Sequence, residues 1–565
     1  MAHAYLTKVP VPAIIPFIEA YSKPGDVVVD PFAGSGMTGV AASMAGRTAK
    51  LFDISVLGQH IGRNYVNLVN SSDFHKHAHE VVAASKEALG DLYSVECSRC
   101  GSNATLAKSV WSYAVECGGC NMPVNYYHSL EKAGWSKQAM VCPHCGDRVS
   151  SRNRRLSEER VLDYVVCDCS AVQIEQRPCD LAAVSLDGVN FPNVEITPDR
   201  QMYKASALGK SGMTTIGSFY SARNLAVLTD LHSKICTVTD TKIRSKLLFA
   251  FTACLTRASK RYQWSKARPL NAANANYYVA SVFYEWNVYD LFARKLSAVL
   301  KSDEWVRGAR RVVVGPEVAD SPDVSYEISS ADKIPLATGS VDYIFTDPPF
   351  GSNLFYADMA LFQEAWLDGF SDVSQEAVVD RKGTKGERTA DRYERLLTAA
   401  LSESRRVLRP DGKISMVFGN SSGEVWELVQ RCIRAAGLRI LPEALVVLNK
   451  GQRSVKGLAS GFEHVATLDL IITMEAADSA QQALPLIRVD ASMVSQKIRE
   501  LAAAVPATPS HLYLELLRTG ISEGWHLRDI DLRVVTTALI DDGWTIDPKS
   551  GRLLRGLAKE AEALF

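Results

Sequence analysis

The chain has 565 residues, with 63 Lys+Arg balanced by 63 Asp+Glu and 47% apolar residues. At about 150 residues per domain this suggests three or four domains, enough to bury a core without disulfides. The apolar content excludes global disorder, no run reaches the ~20 apolar residues of a membrane span, and zero net charge excludes a uniformly basic nucleic-acid coat, so such contact has to come from local patches.

The opening MAHAYLTKVPVP has no basic region followed by an apolar run, so no secretory signal is visible and a reducing, cytoplasmic setting is expected. Residues 14–21 read as a short amphipathic helix and Pro24-Gly25-Asp26 as a turn. Val27-Val28-Val29 is a buried-strand signal, followed by a glycine-rich turn, a helix over 37–45 stopped by Gly46, and a second strand over 48–52 ending at Asp53. Residues 90–205 replace this alternation with cysteine pairs, glycines and short β-like runs. Residues 215–305 read as helical, notably 222–231, 243–257 and 284–300. From about 310 the α/β pattern returns. Arg311-Val312-Val313-Val314 reads as a strand, as does 341–346, which runs into Asp347-Pro348-Pro349-Phe350. A helix over 393–408, a turn at Arg409-Pro410-Asp411-Gly412, a strand over 414–418, a helix over 425–436 and a strand over 467–474 follow. Residues 371–392, with Arg381, Lys382, Lys385 and Arg388, read as a mobile loop, and 475–490 as a linker. The tail reads as mostly helical, with a small hairpin around Trp544–Leu553.

Two strand exits carry chemistry. Asp30-Pro31-Phe32-Ala33-Gly34-Ser35-Gly36 follows a strand and opens a helix, where Gly34 and Gly36 let the backbone approach a ligand closely. Asp30 is placed to hold an ammonium group, and Asp53 to accept hydrogen bonds from ribose hydroxyls. Gly34, Gly36 and Gly39 also satisfy the dinucleotide spacing, but the Asp30-Pro31-Phe32 lead-in and the second motif point elsewhere. In Asp347-Pro348-Pro349-Phe350 two prolines remove two backbone donors, leaving carbonyls beside a carboxylate to grip an exocyclic amino group, with Phe350 to stack on its ring.

Together Asp-Pro-Phe-x-Gly-x-Gly and Asp-Pro-Pro-Phe resemble the amino-group DNA methyltransferases dependent on S-adenosylmethionine. The resemblance extends over Lys8–Asn67, the cysteine-rich insert, Ser218–Asn224 and Ala331–Met474. It implies a Rossmann-like α/β methyltransferase domain and gives roles residue by residue. Asp30, Pro31, Phe32, Gly34 and Gly36 would hold S-adenosylmethionine, with Asp53 on its ribose and Asp332 near its adenine. Residues His3 to Pro10 lie where the family touches the methionine end. Asp347, Pro348, Pro349 and Phe350 would form the catalytic motif. The implied reaction is methylation of adenine N6 in DNA with the base flipped out of the duplex. The alternatives are N4-cytosine transfer, an RNA methyltransferase, and a nucleic-acid-binding protein without turnover. A restriction–modification or phage-defence setting is the family-level expectation.

Eight cysteines cluster in the insert. Cys97-x-x-Cys100 and Cys117-x-x-Cys120 have a zinc-site spacing, and Cys142-x-x-Cys145 is a second knuckle paired in this reading with Cys167 and Cys169. Cys97/Cys100 joining Cys142/Cys145 is the other option. Four thiolates close the coordination sphere, so a structural zinc is expected, with His144 outside the ligand set. Three basic clusters are candidate phosphate contacts: Arg148, Arg152, Arg154, Arg155 and Arg160; Arg257, Lys260, Arg261, Lys266 and Arg268, interleaved with Tyr262 and Trp264; and Lys450, Arg453 and Lys456. Asn271–Tyr278 is a candidate approach to the flipped base. The expected organisation is a catalytic domain split over 1–75 and 306–475, a zinc-ribbon insert at 90–205, a helical region with target recognition at 206–305, and a mostly helical C-terminal domain at 476–565.

Overall fold

Three consecutive β-branched residues, Val27, Val28 and Val29, fall in the strand flanked by both arms of the larger sheet, with Val28 and Val29 fully buried. A strand covered on both faces needs such a continuous apolar run rather than alternation. The computed structural model describes residues 2–5, 8–181, 183–266, 277–351, 355–379, 389–448, 468–478, 486–504, 508–546 and 553–555. Arg268, the run 271–276, the basic residues Arg381, Lys382, Lys385 and Arg388, Thr467 and the Lys450, Arg453 and Lys456 cluster lie outside the described residues.

In chain order come α1 (Val11–Tyr21), β1 (Val27–Asp30), α2 (Met37–Met44), β2 (Thr48–Asp53), α3 (Val56–Val66) and α4 (Ser71–Leu89). Then follow β3 (Ser94–Glu96), β4 (Asn103–Glu116), β5 (Pro123–Asn125), α5 (Tyr126–Lys132), β6 (Arg155–Val166) and β7 (Ile174–Gln176). Helices Ala222–Cys236 and Thr241–Ala258 lead to β8 (Val282–Trp286) and the helix Val288–Val314. β9 (Val324–Ile328), β10 (Val341–Thr346), β11 (Leu408–Phe418), β12 (Leu438–Ile440), β13 (Val446–Leu448) and β14 (Asp469–Ala476) complete the second half, with helices Tyr356–Glu364, Ala390–Val407 and Gly423–Ala435 between them. The tail holds helices Ala491–Ala504, Pro509–Glu523 and Leu532–Asp541 and the hairpin of β15 (Trp544–Ile546) with β16 (Leu553–Arg555).

These elements divide into two units. The first comprises Met1–Leu6, Ser55–Val306 and Phe355–Val373; the second comprises Thr7–Ile54, Arg307–Leu354 and Ser374–Phe565. In the second, the strand order is β12-β14-β11-β10-β1-β2-β9, with β13 also on β14. β9, β2, β1, β10 and β11 are parallel, and β14 runs antiparallel against β11. From β1 the chain moves outward through β2 and β9, then returns to β10 on the other side of β1. That reversal makes a crevice at the carboxyl ends of β1 and β10, where open α/β sheets bind ligands.

The tail is part of this unit's core. Tyr513, Leu516, Leu517 and Leu527 share one buried cluster with Ile414, Met416 and Trp426. Gly423 is required at this junction, because a Cβ there would stand 2.1 Å from the Leu527 carbonyl oxygen.

The first unit is built on a second sheet, β3-β4-β6-β7, with β5 and β8 also paired to β4. β8 corrects the helix expected from residue 284. Val282–Trp286 pairs antiparallel with Lys108–Ser112 and is wholly buried. Its aromatic, β-branched composition favours a pleated surface, and the helix begins only after Asn287, whose side chain accepts from Tyr289 N at 3.0 Å. Arg311–Val314 is corrected the other way, from strand to helix. Val312 is 87% exposed, while Val313 and Val314 lie against Gly46, 3.1 and 3.0 Å from where its Cβ would stand. Arg310 holds this helix by donating to the Ser43 and Ala319 carbonyls, both at 2.8 Å. Tertiary contact here overrides local β propensity. The Arg409–Gly412 turn survives as a bulge inside β11, where the register moves from Val341↔Leu408 to Tyr343↔Lys413. Among the described residues no helix is long and apolar enough to cross a membrane.

Candidate active site and metal centres

The turn from β1 into α2 is held by side chains from four strands. Asp30 is buried, and its carboxylate accepts from Phe32 N at 3.0 Å, Thr38 Oγ1 at 2.6 Å and Thr346 Oγ1 at 2.8 Å. Burial raises its pKa to about 7, against the pull of these three donors. Gly34 and Gly36 both adopt positive φ, 47° and 75°, which side-chain-bearing residues rarely do. Gly34 N donates to Asp53 Oδ2 at 2.8 Å, Ala33 N to the Phe52 carbonyl at 3.0 Å, and the Tyr326 hydroxyl to the Gly34 carbonyl at 2.7 Å. A Cβ on Gly39 would sit 2.7 Å from Leu51 Cδ1, so this glycine sets the approach of α2 to β2. Pro31 is buried and Phe32 half-buried at the same turn.

Asp332 follows β9, next to the end of β2, where Ser329 N donates to the Asp53 carbonyl at 3.0 Å. Asp332 Oδ1 is buried and has no hydrogen-bond partner among the described residues. Asp347-Pro348-Pro349-Phe350 leaves the end of β10, directly after Thr346. The Pro349 carbonyl accepts from the Tyr393 hydroxyl at 2.6 Å, and the Phe350 carbonyl from Asn420 Nδ2 at 3.0 Å. The half-buried Phe350 ring packs on Phe418, with centroids 5.0 Å apart, and Phe418 packs edge-on against Trp426 at 5.1 Å. The second unit therefore brings Asp30, Gly34, Gly36, Asp53, Asp332 and Asp347 to the carboxyl edge of four adjacent parallel strands. Tyr393, Asn420 and Phe418, which brace the Asp347 turn, were missed by sequence reading; only the proximity of 418–420 to a strand end signalled them.

His3 belongs to the first unit, where its buried ring stacks on Phe249 at 5.3 Å and its Nε2 lies 3.2 Å from Thr252 Oγ1. Lys8–Pro10 belong to the second unit.

The cysteine pairing is corrected. The tetrads are Cys97, Cys100, Cys167 and Cys169, and Cys117, Cys120, Cys142 and Cys145, each with its sulfurs within 4.8 Å. The reason is the length of β4, whose 14 residues separate the Cys97 and Cys117 knuckles by roughly 45 Å of extended chain. The first two knuckles cannot share an ion. β6 runs back antiparallel along β4 and returns Cys167 and Cys169 to the first knuckle. Sulfur pairs lie 3.5–3.7 Å apart, as in Cys100···Cys167 and Cys120···Cys142, close to the ~3.8 Å of four thiolates tetrahedral at 2.3 Å from a zinc ion. Two tetrads able to hold a metal ion are thus present among the described residues.

The basic clusters are less available than their sequence suggests. Arg155 lies over the Tyr113 ring and Arg160 pairs with Asp163 at 3.3 Å, while Arg148, Arg152 and Arg154 are exposed. Lys260 pairs with Glu158 at 2.8 Å. Arg261 is buried between Tyr277 and Phe362, and with Arg257, Arg294, Lys295, His3 and Tyr356 it lines a cavity of about 220 Å³. The second cluster is therefore a set of interior cations in part, not an open phosphate-binding face.

Comparison with known proteins gives one family match. The DNA methylase family N6_N4_Mtase matches residues 2–71, a short N-terminal part of the chain. No curated protein matches the chain. Among solved structures, similarity is found to a chain of the complex between the Haloferax volcanii Trm112 methyltransferase activator and a methyltransferase, at 14% identity and TM-score 0.17, covering 29% of this chain and 67% of that one. Geranyl diphosphate methyltransferase in complex with GPP and sinefungin matches at 13% identity and TM-score 0.17, covering 31% and 59%. The antibiotic-resistance methyltransferase Kmr matches at 16% identity and TM-score 0.16, covering 30% and 73%. At such scores none of the three bears on the fold.

Nested tetrads predict two metal ions per chain by elemental analysis. The double substitution Cys100→Ser with Cys117→Ser breaks both sites in this arrangement and is expected to release both ions; retention of one would restore the sequential pairing. Asp30 yields a pH prediction. Its unfolded-state carboxyl loses its proton near pH 3.8, the folded one near pH 7, so the folded state binds the extra proton in between and stability falls as pH rises through that window. The limit is ~4 kcal/mol over about three pH units. Asp30→Asn should therefore gain on the wild type in denaturant unfolding between pH 5 and pH 8; a gap independent of pH would contradict the buried-carboxylate assignment.

Proposed function

We propose that the chain is an S-adenosylmethionine-dependent DNA methyltransferase that methylates the N6 amino group of adenine. The observation that carries this reading is the pairing of the Asp30–Gly36 turn and the Asp347-Pro348-Pro349-Phe350 turn at neighbouring strand ends on either side of the switch point. The DNA methylase match to residues 2–71, which include the first of these turns, also supports it. So does the charge of the crevice. Asp53, Asp332 and Asp347 lie along one sheet edge beside the buried Asp30, which disfavours a pyrophosphate and suits a ligand carrying ammonium, sulfonium and ribose groups. The buried Asp332 Oδ1, without a hydrogen-bond partner among the described residues, fits an acceptor for the cofactor's adenine amino group.

S-adenosylmethionine supplies an electrophilic sulfonium methyl group. The protein's part is to make a poor nucleophile competent. In an aromatic amine the lone pair is delocalised into the ring. The Asp347 carboxylate and the Pro348 carbonyl accept the two amino hydrogens and draw the nitrogen toward sp³ geometry. Tyr393 and Asn420 occupy the next two carbonyls and so hold the turn in place. Phe350, seated on Phe418, offers a ring on which the base stacks. Positioning and electrostatics account for the rate, with no cysteine nucleophile. The amino group is inaccessible inside a duplex, so the adenine is flipped. In this reading the cysteine tetrads hold structural zinc and the metal-bearing unit contributes target recognition.

Asp347→Ala is expected to lower methyl transfer to DNA by at least ~10²–10³-fold while calorimetric binding of S-adenosylmethionine survives. Loss of cofactor binding together with transfer would remove Asp347 from the role given to it.

A further inference from the structure

The metal-bearing unit contains a second cavity, of about 320 Å³, that the methyl-transfer reading does not use. Four aromatic residues, Tyr126, Trp135, Trp264 and Tyr278, line it with two lysines, Lys137 and Lys266, and no carboxylate is among its described lining residues. Two features mark it as built rather than incidental. The first is Trp135, whose φ of 69° is a strained conformation for a bulky side chain. It is held there by closure of the α5 C-terminus, with Trp135 N donating to the Leu130 carbonyl at 2.8 Å and Gly134 N to the Glu131 carbonyl at 3.0 Å. Such strain persists where the surroundings over-determine it, and it clusters at ligand clamps. The second is the hydroxyl of Ser281, a lining residue only 3% exposed, which has no hydrogen-bond partner among the described residues. A buried hydroxyl left unpaired is costly and calls for an occupant.

The walls are fixed before any ligand arrives. Trp135 packs on Trp264 with centroids 5.3 Å apart, and both rings contact Tyr127, at 5.5 and 5.2 Å. Trp264 N donates to the Val282 carbonyl at 3.1 Å, tying this wall to β8. Ser129 of α5 donates to the Val141 carbonyl at 3.0 Å, beside Cys142 of the second tetrad, so the metal knuckle braces the helix that carries Tyr126. Tyr278 is 43% exposed at the mouth. Lys266 Nζ stands 4.4 Å from the centre of the Trp135 ring.

From this geometry we propose that the cavity binds one unpaired nucleotide of a nucleic-acid strand, distinct from the base undergoing methylation. The proposal rests on the reading of the chain as an enzyme acting on nucleic acid. Aromatic walls give the stacking faces that every base accepts. The lysines and the lack of carboxylates suit the phosphate. A cationic guest such as a quaternary ammonium group, the usual occupant of an aromatic cage, is disfavoured by the ammonium already over Trp135. The volume is at the small end of single-ligand pockets, which admits one nucleotide and excludes a duplex.

The test uses the full-length protein and anisotropy of a fluorescein-labelled single-stranded oligodeoxynucleotide, compared with the same strand made abasic. Trp135→Gly removes the ring at a position whose φ glycine tolerates, Tyr278→Ala removes one that is 43% exposed, and circular dichroism and thermal unfolding of each variant check that it folds. The wild type should prefer the strand with bases by about tenfold, and both variants should erase that preference. Lys266→Ala should weaken both strands and reduce the salt slope by about 0.7. Equal affinity of the wild type for both strands, a preference that survives Trp135→Gly, or free dAMP binding as tightly as the strand would overturn the proposal. Methyl transfer to duplex DNA, measured in parallel, separates the two claims. Transfer without base preference sinks the pocket alone, and absence of transfer by the wild type sinks the enzymatic reading.

Discussion

A carboxylate buried in the middle of a parallel sheet is expensive unless its oxygens are satisfied, and the second unit is organised around one. Asp30 takes a hydrogen bond from Thr346 at the end of β10, one from Thr38 in α2 and one from its own turn. These contacts fix the β10 exit against the glycine turn, and Asp347 is the residue after Thr346. The two turns are therefore tied together by one buried group as well as by the pairing of β1 with β10. Asp53 and Tyr326 then secure the turn from β2 and β9. On the other side Tyr393, Asn420 and the Phe350–Phe418–Trp426 series secure the Asp347 turn.

The first unit answers a different physical need. Its spine is one long antiparallel pair, β4 and β6, with knuckles at both ends. A cysteine tetrad able to hold a metal ion stands at each end of a pair that already carries several irregularities. β8 adds to the same sheet from more than a hundred residues away. In the first unit the arginines and lysines are partly paired, partly stacked on aromatic rings and partly exposed.

What could be read from the sequence follows from what is local. β1 and β10 are short apolar runs ending in Asp, and the turns after them depend on Gly or Pro within a few residues. Those signals do not need the rest of the chain. The cysteine knuckles were equally plain, but their partners were not, because pairing depends on strand length and direction. Arg311–Val314 misled because its β-branched composition was outweighed by packing on Gly46. Tyr284 misled in the opposite sense, since the helix start at Asn287 is a single side-chain cap. The arginines at 257 and 261 looked like a surface patch because sequence spacing carries no information on burial.

The central claim concerns one chemical product. DNA incubated with the protein and S-adenosylmethionine, digested to nucleosides and resolved by mass spectrometry, is expected to contain N6-methyladenine, absent when Asp347 is replaced by Ala. N4-methylcytosine as the sole product would contradict the base assignment. Methylation confined to RNA, or no methylated nucleoside at all, would contradict the account as a whole.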